Sequence, residues 1–170
     1  MREIAPYEAP GAAFRSVLVV VEFDRHVPGA LSAASRSGLR HAAAVAQPDG
    51  GRIVALHVLP HQPRAVLSAA GGFAATGVSP AIADASARLT RAVDGERLPA
   101  RVDSAIAAGI ALDEIAAYAS SMKADLIVAG YQDRPGAYSE GFSFRALLHR
   151  ASCPVLVTRA TDSLPAGWEP

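Results

Sequence analysis

Ser16-Val-Leu-Val-Val-Val-Glu22 is apolar without a break between its polar ends. A strand that faces water on one side alternates apolar and polar residues. A continuous β-branched run instead marks a strand buried on both faces. Working outward, the pattern repeats. Arg52-Ile-Val-Ala-Leu-His-Val-Leu59, a weaker run at about Leu98 to Ile106, Ala124-Asp-Leu-Ile-Val-Ala-Gly130 and Cys153-Pro-Val-Leu-Val-Thr158 read as further strands.

Helical patterns separate them. Pro28 and Gly29 open a segment with Leu31, Ala34, Gly38, Ala42 and Val45 on one side, and Pro48-Asp-Gly-Gly51 stops it. Ser79-Pro80 reads as an N-cap followed by a first-turn proline, and Ile82, Ala85, Leu89 and Ala92 form the stripe behind it. Gly109 precedes a helix whose first turn holds Asp113 and Glu114, at the positive end of its dipole. A last helix is expected over about Gly141 to Arg150. The stretch from Pro60 to Gly77 reads as a long loop, and long loops in compact domains are often functional.

Strands alternating with helices predict an α/β fold: five parallel strands, right-handed crossovers and helices on both faces. Such sheets bind ligands at the carboxyl ends of the strands, where the strand order reverses. Residues 15–160 form the expected domain, with a loose arm over 1–14 and a tail over 161–170. Trp168, in that tail, reads as a partly buried side chain in preference to a partner contact.

Composition narrows the function classes. Sixteen basic residues balance sixteen acidic ones, so no global positive field gathers nucleic acid. All the basic residues except Lys123 are Arg, a bias that weakens argument from any single Arg. Cys153 is the only cysteine, so no disulfide forms within the chain. No run reaches the roughly 20 apolar residues of a membrane span. The expectation is a cytoplasmic protein with no membrane or nucleic-acid partner.

The last third resembles the universal stress protein family. The resemblance lies in Ala124 to Gly130, a glycine-containing loop, a helix from Gly141, and Ala151-Ser-Cys-Pro-Val-Leu-Val-Thr-Arg159. A first strand ending in an acidic residue, His57-Val-Leu-Pro60 and Gly109 agree with it, over about residues 15–160. The resemblance implies strand order 3-2-1-4-5, an adenine nucleotide alpha hydrolase-like frame, and a homodimer joined through the last strand. One branch of the family binds ATP through Gly, two residues, Gly, nine residues, Gly, then Ser or Thr.

The resemblance places a nucleotide near Glu22, Phe23, Val58, Gly130, Asp133, Arg134, Gly141 and Ser143. The motif is altered here. Gly130 and Gly141 fit the first and third glycines, but Asp133 replaces the second, and seven residues rather than nine separate it from Gly141. Phe142 follows where a hydroxyl belongs, and Ser143 is one step late. Asp133 sets a carboxylate beside phosphates, and like charges repel in a partly dry site. Arg134, Arg145 and Ser143 are the residues able to offset that loss.

Other chemistry finds little support. His57 and His61 lack a third metal ligand, and His57 reads as a strand-end residue with a satisfied ring. Cys153 has no partner base. No Gly-x-Ser-x-Gly elbow or Walker loop is present. Glu22 and Asp24 could share one side, but Asp24 and Arg25 read better as a turn into the first helix.

The leading expectation is a non-enzymatic regulatory domain. It acts through homodimerisation and contact with another protein, with weak or absent nucleotide binding. The alternative is an ATP- or AMP-binding sensor, with Mg and at most very slow hydrolysis. Under the alternative, a bulky residue at Gly130 abolishes affinity without unfolding the domain.

Overall fold

The computed structural model describes residues 14–46, 51–59, 65–68, 80–131 and 143–160. Chain order is β1 Ser16–Val20, α1 Ala33–Val45, β2 Arg52–Leu59, β3 Ala65–Ser68 and α2 Pro80–Gly95. Then come β4 Val102–Ala108, α3 Ala111–Ser121, β5 Leu126–Tyr131, α4 Phe144–Arg150 and β6 Val155–Arg159. The sheet order is β3-β4-β2-β1-β5-β6. All pairings are parallel except β3 with β4. Without β3, the five parallel strands have the expected order 3-2-1-4-5.

The central run of β1 is apolar throughout because each face packs against a separate core. Val17 and Val19 join Leu39, Ala42, Ile82, Leu89 and Val93 in the core beneath α1 and α2. Leu18 and Val20 join Leu112, Ile115, Ala119 and Leu147 beneath α3 and α4. Val17, Leu18 and Val19 are all fully buried. Alternate residues of one strand thus enter opposite layers.

The structure corrects four boundaries. The 60–77 stretch is not only a loop: Ala65–Ser68 pairs antiparallel with β4 and extends the sheet by one edge strand. Four residues leave too little periodicity to signal a strand in sequence. The third parallel strand begins at Val102 rather than Leu98 and runs on to Ala108. The first helix begins at Ala33 rather than at Pro28. Ser32 caps it, with its hydroxyl accepting from Ser35 N at 3.2 Å. Pro28 and Gly29 lie in the preceding turn, where Gly29 has φ +80° and Ala30 N–H donates to Val27 C=O at 3.2 Å. The last helix begins at Phe144, not Gly141, with Ser143 as its N-cap.

Candidate functional site at the carboxyl ends of β1 and β5

β2 pairs with β1 on one side, and β5 pairs with it on the other. The strand order therefore reverses between β1 and β5, where the carboxyl ends of the strands leave a crevice for a ligand. Glu22, Phe23 and Gly130 all lie at this end of the sheet.

Glu22 follows β1, and its backbone is fixed from α1. Its N–H donates to Ser35 Oγ at 2.7 Å, and Ser35 Oγ donates back to the Glu22 carbonyl at 3.0 Å. Ser32 N–H also donates to that carbonyl at 2.9 Å, and Ser32 Oγ lies 2.9 Å from Ser35 Oγ. Both serines are buried, so these bonds form away from water, where an unmade bond is costly. Burial raises the Glu22 carboxyl from 4.5 to about 7, with Arg25 pulling weakly the other way. Near neutral pH the group exists in both forms. Sequence reading did not single out Ser32 and Ser35. Their spacing of three at a helix start was the available signal.

Asp24 closes the turn after β1. Its Oδ1 accepts from His26 N–H at 2.7 Å and Val27 N–H at 3.1 Å. That agrees with its reading as a turn residue. Phe23 packs on the α1–α2 side, edge-on to the His57 ring at 5.0 Å, with the Arg88 guanidinium 4.9 Å above it. His57 Nδ1 is 2.9 Å from the Val21 carbonyl, and burial lowers its pKa from 6.5. The ring is satisfied, as expected, and burial favours its neutral form. Val58 is buried in the core on the α3 side.

On the far side, Gly130 is buried near the end of β5. A Cβ there would lie 2.1 Å from the Ala34 carbonyl oxygen. The missing side chain lets α1 approach β5, so this glycine is needed for packing. The expectation that a bulky residue at Gly130 spares the fold is therefore overturned. Ser143 Oγ caps α4, accepting from Ala146 N–H at 3.5 Å. Tyr131 meets Phe144 edge to face at 5.7 Å, closing the β5 end against the start of α4. Asp133, Arg134 and Gly141 lie outside the described residues, as does Trp168. Among the described residues this end thus offers the Glu22 carboxyl, while the hydroxyls of Ser32, Ser35 and Ser143 and the carboxylate of Asp24 are engaged in caps and turns.

Two other features lie apart from it. A groove of about 330 Å³ runs between Val93, Arg97, Arg101 and Ser104 at the amino end of β4. It is at the opposite end of the sheet from the strand-order reversal. Cys153 has its thiol pKa raised, chiefly by burial, which suppresses the reactive thiolate. Among the described residues, no cluster of His, Cys, Asp and Glu could hold a metal ion, and no helix is long and apolar enough to cross a membrane.

This strand order, with helices on both faces, defines an α/β fold of the nucleotide alpha hydrolase-like kind. The universal stress protein family profile matches residues 13–159. The chain belongs to the universal stress protein family. No curated protein matches it. Among solved structures it is similar to a universal stress protein in complex with cAMP, at 18% identity and TM-score 0.56, covering 88% of this chain and 99% of that one. It is similar to one from Archaeoglobus fulgidus in complex with dAMP, at 23% identity and TM-score 0.55, covering 84% and 95%. It is also similar to an Arabidopsis thaliana family protein with AMP bound, at 15% identity and TM-score 0.55, covering 86% and 92%. At these identities the likeness establishes the shared fold.

Proposed function

We propose that the domain is a regulatory module that works as a homodimer joined along β6 and signals through contact with another protein, without turning over a substrate. The β6 edge carries this reading. β6 ends the sheet beside β5, and no described strand pairs with its outer side. Val157 is 42% exposed there, and Val155 and Leu156 are only partly buried. An unpaired edge bearing apolar side chains is a template for another strand. Native mass spectrometry at micromolar concentration is expected to find a dimer. Val157→Lys should give monomers, because a charge on the edge opposes pairing. A monomeric parent protein would sink the reading.

A second reading is favoured by Glu22. An adenine mononucleotide would bind weakly at the crevice between β1 and β5, beside this carboxyl. Similar folds carry cAMP, dAMP and AMP. Asp133 in place of the second motif glycine and Phe142 in place of the hydroxyl support weak binding over a tight triphosphate site. Native spectra with AMP and Mg²⁺ added are expected to show bound mass at millimolar nucleotide. A dimer that stays empty would leave the first reading alone.

A further inference from the structure

The groove at the amino end of β4 lies between that strand and the last turn of α2. Its volume of about 330 Å³ falls at the small end of ligand sites, which begin at about 300 Å³. Val93, Leu98, Ala100 and Val102 give it apolar walls. Ser104 adds a polar group. By strand alternation it shares a face with Val102 and Ile106, which pack on the α2 side. Ser104 is 3% exposed, and its hydroxyl makes no hydrogen bond among the described residues. Among those residues only Thr158 Oγ1 is an unpaired side-chain atom sealed from water, so the Ser104 oxygen opens on the groove it lines. A nearly buried hydroxyl is normally paired, and this one has its free side toward the groove.

The charges around the groove leave a surplus of one sign. Asp103 faces Arg52 at 3.6 Å and Arg101 at 3.4 Å. Arg52 alone balances it, and the Arg101 side chain is 92% exposed, so it can turn toward the groove without stranding Asp103. Arg97 makes no ion pair among the described residues. Asp94 is the remaining carboxylate on the rim. Three guanidinium groups thus meet two carboxylates. Glu96, close by, is paired with Arg40 at 4.0 Å. The α2 carbonyls that would repel an anion are met as well: Val93 C=O accepts from Glu96 N–H at 3.1 Å, and Asp94 C=O from Arg97 N–H at 3.4 Å. Arg97 stands at φ +49°, in the left-handed region where glycine or asparagine is the cheaper residue. The chain places a guanidinium on the rim in spite of that cost.

We propose that this groove binds a small organic monoanion: Arg97 and Arg101 hold its carboxylate, the Ser104 hydroxyl donates to it, and a short apolar body lies on Val93 and Leu98. The planar guanidinium fork matches a carboxylate. One surplus positive charge suits one negative charge, and the apolar walls suit a hydrocarbon body in place of a bare ion. The site is at the opposite end of the sheet from the nucleotide crevice and does not depend on that reading.

Titration of the isotope-labelled full chain with benzoate, followed through amide chemical shifts, tests this. Benzoate at millimolar concentration should give saturable shifts at Arg97 and from Ala100 to Ser104. Benzamide, of the same shape but uncharged, should leave them unmoved. Arg97→Asn keeps a residue that tolerates the left-handed backbone and should weaken benzoate binding about ten-fold. Ser104→Ala should weaken it about three-fold. Absence of saturable shifts at these residues would overturn the site. Equal shifts with benzamide would overturn its anionic class, and unchanged affinity in Arg97→Asn would overturn the role of that guanidinium.

Discussion

Two carboxylates at opposite ends of the parallel strands, Asp125 and Glu22, are held in opposite ways. At the amino ends, Asp125 accepts the N–H groups of Arg15 at 2.8 Å and Ser16 at 3.0 Å, and so ties β5 to β1. Asp103 faces both Arg52 at 3.6 Å and Arg101 at 3.4 Å. Each charge there has a partner, and exposed pairs of this kind add little stability. At the carboxyl ends, the half-buried Glu22 carboxyl has no ion pair among the described residues, and Thr158 Oγ1 is buried with no hydrogen-bond partner among them. Pairing makes the amino end a structural seam. The two groups at the carboxyl end have no such tie among the described residues. The fold tolerates the imbalance because its core is fixed elsewhere.

The contact that brings the two sides of the crevice together is the most sensitive point. Gly130→Ala would drive a methyl group into the Ala34 carbonyl. Backbone oxygen cannot rotate away as a side chain can, so the loss should exceed about 3 kcal/mol in urea unfolding. An unchanged midpoint would mean that α1 does not approach β5 so closely.

Glu22 gives the next effect. A carboxyl raised from 4.5 to about 7 binds its proton more tightly when folded. Its contribution is fully present below pH 4.5 and is lost as pH rises through about 7, roughly 3 kcal/mol in all. Glu22→Gln should remove that part of the pH dependence. Parallel stability–pH curves for the two proteins from pH 5 to 8 would refute the burial of this group.

Asp125→Ala probes the other end of the comparison. It leaves two strand-start N–H groups without their acceptor, at a cost of about 2 kcal/mol in equilibrium unfolding, with AMP binding in native spectra unchanged. A large loss of affinity with no loss of stability would reverse the roles assigned to the two ends.

The parallel sheet was legible because runs such as Ser16 to Glu22 and Arg52 to Leu59 have no polar alternation, and only two-sided burial accounts for that. The turn at Asp24 and Arg25 and the satisfied His57 were also legible, since turn chemistry and strand-end position are local. β3 was not. Its four residues gain their pairing from β4, which is distant in sequence. The role of Gly130 was hidden for a related reason. A glycine after a strand fits a phosphate loop and a helix contact equally well, and the choice depends on Ala34, brought there by the crossover. Ser32 and Ser35 carried a visible capping pattern, but their grip on Glu22 required α1 to lie against the end of β1.

The sequence by itself thus determined the layers, the parallel order through its family resemblance, and the end of the sheet at which to look. Local patterns suffice for these, because burial on two faces and the direction of crossovers leave few alternatives. Tertiary structure alone decided that Gly130 serves packing and that the half-buried Glu22 carboxyl has no ionic partner among the described residues. Both depend on the approach of segments far apart in the chain, and a pKa or a steric clash exists only once those segments meet.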